Sequence, residues 1–292
     1  MPAPGPDYRF AWRPWWILSH LFVLGMVVLM VNLGFWQLRR LDERRAHNST
    51  IESRQDLPPA SLAELLPAGT GSDADAVAEV AYRMVTLSGS YATDQQVLVR
   101  NRTNDGLPGY WVLTPLVLDD GTAVAVNRGW VPFATTASEG PWPQYDPPAG
   151  RVTVTGMVQE PQTRAGGFVG GPTDPAEGRL WTLSRVDVGR LQQQVDEPLW
   201  PLYVNLRTQE PPQGDLPEPV PAPDLSEGPH LGYAGQWFVF ATLTAIVYPL
   251  LLRRVARQRG REGAGARGGE PGGDAGSTVG QSRQRSSAGA GP

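Results

Sequence analysis

The chain has 292 residues, a formal charge of −4 and a composition sufficient for one or two domains with a real core. That charge balance argues against a nucleic-acid partner. It contains no lysine and no cysteine, which excludes Schiff-base chemistry, a P-loop lysine, disulfides, thiolate metal sites and CxxCH haem attachment.

The first element is apolar. WWILSHLFVLGMVVLMVNLGFWQL, Trp15 to Leu38, has no formal charge and is long enough to cross a hydrocarbon core of about 30 Å as a helix. Trp15, Trp16 and Trp36 bracket it as an aromatic belt. The run exceeds a signal-peptide core, and RRLDERR follows it where a small-x-small cleavage site would stand, so an uncleaved anchor is expected. His47, just beyond, is expected to be solvated in a polar loop.

The centre reads as mostly β. PASLAELLP (Pro59–Pro67) predicts a short helix and GTGSDADA a loop. Strand-like runs follow: YRMVTLSGSY, QQVLVRN, YWVLTPLVL, TAVAVNRGWV, RVTVTGMV, LWTL and LYVNLR. Turn signals such as Asp119-Asp120-Gly121 separate several of them. SRVDVGRLQQQV (Ser184–Val195) interrupts the series as a helix with Val188, Leu191 and Val195 on one face. Residues 210–229 are a proline-rich, extended connector.

A second uncharged apolar run occupies 230–252, flanked by Tyr233, Trp237 and Tyr248. Arg253, Arg254, Arg257, Arg259 and Arg261 follow it, which places the C-terminus in the cytoplasm. Two crossings put the N-terminus there too. Arg39, Arg40, Arg44 and Arg45 oppose that orientation, but long domains translocate largely regardless of charge. The expected organisation is a cytoplasmic tail (1–14), a transmembrane helix (15–38), an extracytoplasmic β-rich domain (39–209), the connector (210–229), a second transmembrane helix (230–252) and a disordered cytoplasmic tail (253–292). The fold class is a two-helix transmembrane hairpin flanking a mostly β, α+β domain in the cell membrane.

No HExxH, GxSxG, P-loop or post-strand GxGxxG occurs, and the three histidines lie in or beside the apolar helices, so no enzymatic activity is expected. On a helix, His230, Ala234, Trp237, Ala241, Thr244 and Tyr248 form one stripe, with Tyr233 beside it. The stripe alone favours packing on the first helix, with His230 interfacial; the alternative is a haem-iron ligand near the outer leaflet. Gln236, on another face, needs a partner, either the first helix or a ligand. Asn32, Trp36 and Arg40 stack along the first helix. Gln37 and Arg40 face the second helix, or Arg40 instead pairs with an anionic group or snorkels to lipid head groups. His20 reads as an interhelical hydrogen bond. In NRGWVP, Arg128 and Trp130 are either core residues, with Arg128 on a carboxylate, or a docking surface of hot-spot types.

LGFWQLRRLDER, PGYWVLTPL, VNRGWVP and HLGYAGQWFVFA occur in an order and spacing that resemble the Surfeit locus protein 1 family, assembly factors of cytochrome c oxidase, from about Trp15 to Arg254. The arginine-only composition and Gly/Ser tail have an actinobacterial look. The resemblance implies two transmembrane helices around an outer domain and a role in maturing haem-copper oxidase, with haem a as cargo. Carried onto this chain, His230 is the candidate haem-iron ligand. Tyr233, Gln236, Trp237, Trp36, Gln37 and Arg40 are then candidate cofactor contacts, and Arg128 and Trp130 candidate partner contacts. The partners implied are oxidase subunit I and, beyond it, haem A synthase, with membrane lipid around the hairpin. A haem-free scaffold for an oxidase intermediate is the competing reading.

Overall fold

The computed structural model describes residues 5–66, 74–133, 140–162 and 172–267. It divides into a helical unit (residues 1–42 and 228–292) and a sheet unit (43–227).

The helical unit holds most of α1 (Pro14–Gln55) and all of α5 (His230–Arg267), both long and apolar enough to cross a membrane. They run antiparallel: Gln37 meets His230 near one end, and Ser19 and His20 meet Tyr248 toward the other. The small residues of the α5 stripe are the buried ones, Ala234 and Ala241. Gly34 is a point of close approach, because a Cβ there would lie 2.7 Å from the Phe238 ring. Residues 5–13 fold back on the end of α5, where Asp7 N–H donates to the Ala256 carbonyl and Arg259 lies over the Phe10 ring.

Two helix boundaries differ from the sequence reading. α1 does not stop at Leu38 but continues through the segment expected to be a polar loop, so His47 is helical. From Leu38 to Gln55 no glycine or proline interrupts it, while Leu41, Asn48 and Ile51 recur at helical spacing and are buried. Pro58 and Pro59 follow its end. α5 likewise persists through Arg267, past the expected start of a disordered tail at 253, and the tail from 268 lies outside the described residues.

The sheet unit has seven strands, β1 (Met84–Tyr91), β2 (Val97–Asn104), β3 (Leu107–Leu118), β4 (Ala123–Pro132), β5 (Arg151–Gln159), β6 (Thr182–Leu183) and β7 (Leu199–Glu210), each on one of the runs expected to be strands. Their order is β1-β5-β7-β4-β3-β2-β6, and β1 also pairs with β3. The β1–β3 pairing closes β1, β5, β7, β4 and β3 into a barrel, which removes their free edges. Val85, Leu87, Leu116, Val124, Val126, Val154 and Val204 fill one core, joined by Leu62 and Leu66 around α2 (Leu62–Leu65) and Val77 of α3 (Ala74–Val80). α2 carries the capping box of Ser61 and Glu64. Part of the expected GTGSDADA loop is helical, since α3 begins at Ala74; residues 67–73 lie outside the described residues. α4 (Val188–Gln192) is shorter than the predicted helix, starting at the Asp187 cap, but Val188, Leu191 and Val195 do share one buried cluster.

β4 is buried on both faces because β3 and β7 flank it and separate clusters cover its two sides. At Gly129 the backbone takes φ +139°, and an added Cβ would lie 2.2 Å from the Glu218 carbonyl oxygen. That approach lets Trp130 and Glu218 exchange main-chain hydrogen bonds, tying the proline-rich connector to β4. Gly121 also has positive φ, at +79°, but faces open space. Gly129→Ala should therefore cost more than ~2 kcal/mol and Gly121→Ala only ~1 kcal/mol. Thermal melts of the full chain in detergent would check this, with equal losses contradicting it.

Candidate functional site

His230 opens α5 and is half-buried. Its Nδ1 lies 2.9 Å from Gln37 Oε1 on α1. A carbonyl oxygen only accepts, so the neutral ring carries its proton on Nδ1 and leaves the Nε2 lone pair unprotonated. Among the described residues no side chain bonds that Nε2. This is how metal-ligating histidines are commonly held: the second nitrogen donates to a carbonyl that fixes tautomer and ring orientation. The same arrangement serves as an interhelical bond between two apolar helices.

The other candidates are placed less uniformly. Arg40 lies over the Trp36 ring, 5.9 Å from guanidinium carbon to centroid, as their i, i+4 spacing predicts. Trp36 and Tyr233 are 44% and 48% exposed, leaving aromatic surface open at this end of the hairpin. Trp237 is half-buried and edge-on to Phe240. Gln236 is exposed, so it does not make the bond to α1 that its place in the helix suggested. His20 is the interhelical bond expected: Tyr248 Oη lies 2.7 Å from Nδ1 and the Ala11 carbonyl 3.2 Å from Nε2. With both ring nitrogens engaged, it is a poorer ligand than His230.

The expected docking pair does not lie on a surface. Arg128 is fully buried in β4 and Trp130 is 6% exposed, so both belong to the barrel wall. β4 alternates its side chains between two covered faces, which leaves neither pointing to solvent. Arg128 is not hydrogen-bonded to a carboxylate either. Its Nη1 donates to the Tyr145 carbonyl at 2.6 Å and to Gln96 Oε1 at 3.1 Å, and the guanidinium lies over the Tyr91 ring. Burial pushes its pKa down to about 10, opposed by Tyr91 and then Asp146, and burial likewise raises the Tyr91 phenol. Trp130 Nε1 donates to the Arg102 carbonyl. Asn127 of the same motif donates to Asn205 Oδ1 at 2.9 Å, joining β4 to β7. Asn205 was not singled out in the sequence, because a buried Asn–Asn pair between distant strands has no local signal.

The arginines after the first apolar run are also partly accounted for. Arg44 donates to the Asp224 and Ser226 carbonyls, and Arg45 forms a two-point ion pair with Glu227. The Arg45 pairing holds the Glu227 carboxyl below the usual range.

Among the described residues no cluster of three or more histidine or carboxylate groups forms a metal site. A profile of the SURF1 family matches residues 24–242, a span containing every one of these motifs. The chain belongs to the SURF1 family. An uncharacterised SURF1-like protein of Mycobacterium tuberculosis is 31% identical over 263 residues, covering 89% of this chain and 92% of the relative. A SURF1-like protein of Dictyostelium discoideum is 24% identical, covering 79% and 94%. The cytochrome oxidase assembly protein SHY1 of Saccharomyces cerevisiae is 26% identical over 168 residues, covering 55% of this chain and 40% of the relative.

For this SURF1-family chain, Arg128 substitutions should act through folding. Both Arg128→Ala and Arg128→Met lose the bond to the Tyr145 carbonyl, but Arg128→Ala also leaves a cavity and should cost ~2–4 kcal/mol, while Arg128→Met fills most of the volume without burying a charge and should cost clearly less, about 1–2 kcal/mol. Melting temperatures together with immunoblots of the protein in cells check this. An Arg128→Ala protein of normal stability and abundance that lost function would restore the docking role.

Proposed function

We propose that this chain is a membrane-anchored, non-enzymatic assembly factor for cytochrome oxidase that holds haem a at His230 and passes it to subunit I. The family membership and the yeast relative's role in cytochrome oxidase assembly support the client. The observation that carries the haem reading is the Gln37–His230 bond, which presents an unprotonated Nε2 at the end of an apolar hairpin.

The residues fit such a cargo. Haem brings an iron that accepts one imidazole nitrogen, and imidazole is a common axial ligand. His230 would supply that nitrogen, and Gln37 would hold the ring in the donating tautomer. The exposed faces of Trp36 and Tyr233, with Trp237, suit a flat apolar macrocycle, and Arg40 suits an anionic substituent on it. A single histidine is a weaker hold than two, which favours release to a client over retention. Haem A synthase is the partner class that would supply the cargo.

α1 and α5 cross the membrane in this reading, with both termini cytoplasmic and the sheet domain outside. Residues 5–13 pack near Ala256 and Arg259 of α5, so both termini share one side, and the arginine cluster after the second span is what assigns that side to the cytoplasm.

The test is the visible spectrum of the full-length protein purified in mild detergent from cells making haem a. Wild type should carry a Soret band that His230→Ala abolishes. Gln37→Leu should lower haem affinity about tenfold or more, through the lost support of the ring. Undiminished haem in His230→Ala would overturn the ligand assignment. A colourless wild type that still co-purifies with oxidase subunits would favour the haem-free scaffold, with Gln37–His230 as a purely structural bond.

A further inference from the structure

Within the sheet unit, apart from the hairpin, a cleft of about 330 Å³ is lined by Arg44, His47, Tyr82, Asn205, Arg207 and Asp224, among others. Arg207 is half-buried, and among the described residues its one hydrogen bond is from Nη1 to the Val220 carbonyl at 2.8 Å. Arg44 spends Nε and Nη2 on main-chain carbonyls. Among the described residues neither guanidinium is hydrogen-bonded to a carboxylate, although the Arg44 charge lies near enough to Asp224 to favour its ionised form. Asp224 is turned to its own turn, accepting from Ser226 N–H and Oγ–H. Those bonds keep it ionised below the usual carboxylate range, while partial burial lowers Arg207.

Two amides also line the cleft with opposite ends free, since Gln159 spends its NH2 on the Val158 carbonyl and keeps Oε1. Asn127 occupies Asn205 Oδ1, so the end of the Asn205 amide left for the cleft is its NH2. The NRGWVP motif thereby sets the polarity of a cleft that its own side chains do not line. Tyr82 follows α3 with φ +67°, a left-handed conformation normally given to glycine at a helix end. Its ring meets His47 edge-on at 5.8 Å. Two arginines and one aspartate give the cleft a formal charge of one positive.

We propose that this cleft is an oxyanion-binding site for a carboxylate- or phosphate-bearing ligand, with Arg44 and Arg207 as its cationic contacts and Asn205, Tyr82 and His47 as donors. Guanidinium groups whose forks are not taken up by a carboxylate hydrogen bond match the planar geometry of either anion. The site is independent of His230: it stands or falls whether or not the hairpin carries haem.

Isothermal titration of the full-length protein in an uncharged detergent at pH 7 tests it, with sodium phosphate and sodium acetate as probes and sodium chloride of equal ionic strength as reference. Saturable single-site heat is expected for at least one probe, weakened about tenfold or more by Arg207→Gln and by Arg44→Gln. If Arg207→Gln gives no cooperative melt, Arg44→Gln, on the surface of α1, decides alone. Phosphate binding without acetate assigns a phosphate-bearing ligand; acetate binding of similar strength assigns a carboxylate. Heats equal to those of chloride, or affinities unchanged by the arginine substitutions, overturn the site.

Discussion

A polar atom shut away from water must find a partner inside the protein, and that constraint organises both units. In the helical unit the outer faces of α1 and α5 are apolar, so polar side chains there are useful chiefly between the helices. Gln37 with His230, and Ser19 and His20 with Tyr248, are the pairs that result, and they fix the antiparallel register of two otherwise greasy helices. Gly34 supplies the close approach that those bonds require. In the sheet unit the same constraint acts on β4: Asn127 bonds to β7, Trp130 to β2 and Arg128 Nη1 to the loop around Tyr145, while Arg128 Nε and Nη2 stay buried without a hydrogen-bond partner among the described residues.

One bond therefore has two consequences at His230. It joins the helices, and it decides which ring nitrogen keeps a lone pair. In the proposed role those consequences are inseparable: the residue that closes the hairpin is also the one that presents a ligand, so the geometry of the cargo site depends on the register of the helices. The sheet unit contributes differently. Its barrel closure and the Trp130–Glu218 exchange hold the connector, and the arginines at the end of α1 engage residues 224–227 within that same unit.

Much of this was legible in the chain. All seven strands fall on runs rich in β-branched and aromatic residues, because period-2 burial and turn residues leave a local signature in MVTLSGSY and at Asp119-Asp120-Gly121. The two apolar helices were legible from length alone. α1 was read too short because RRLDERR looks like a charged stop, although Leu41, Asn48 and Ile51 carry its helical periodicity onward. Arg128 was read as either a core residue paired to a carboxylate or a docking contact, because arginine beside tryptophan is a hot-spot combination. Its burial depends on β4 having neighbours on both sides, which is topology and not local sequence. For the same reason Asn205 and the cleft it lines carried no signal: their meaning lies in a partner 78 residues away. The Gln37–His230 pair was accessible as two polar residues near facing helix ends, but its atom-level sense, Oε1 to Nδ1, required the structure.

The most direct measurement is the reduced-minus-oxidised spectrum of membranes from a strain lacking this gene, complemented with wild type or with His230→Ala produced to the same level. The account predicts that the haem a signal of the oxidase falls on deletion, returns with wild type and fails to return with His230→Ala, while oxidase subunit synthesis is unchanged. A haem a signal that survives deletion would contradict the assembly role, and one fully restored by His230→Ala would contradict the role assigned to that histidine.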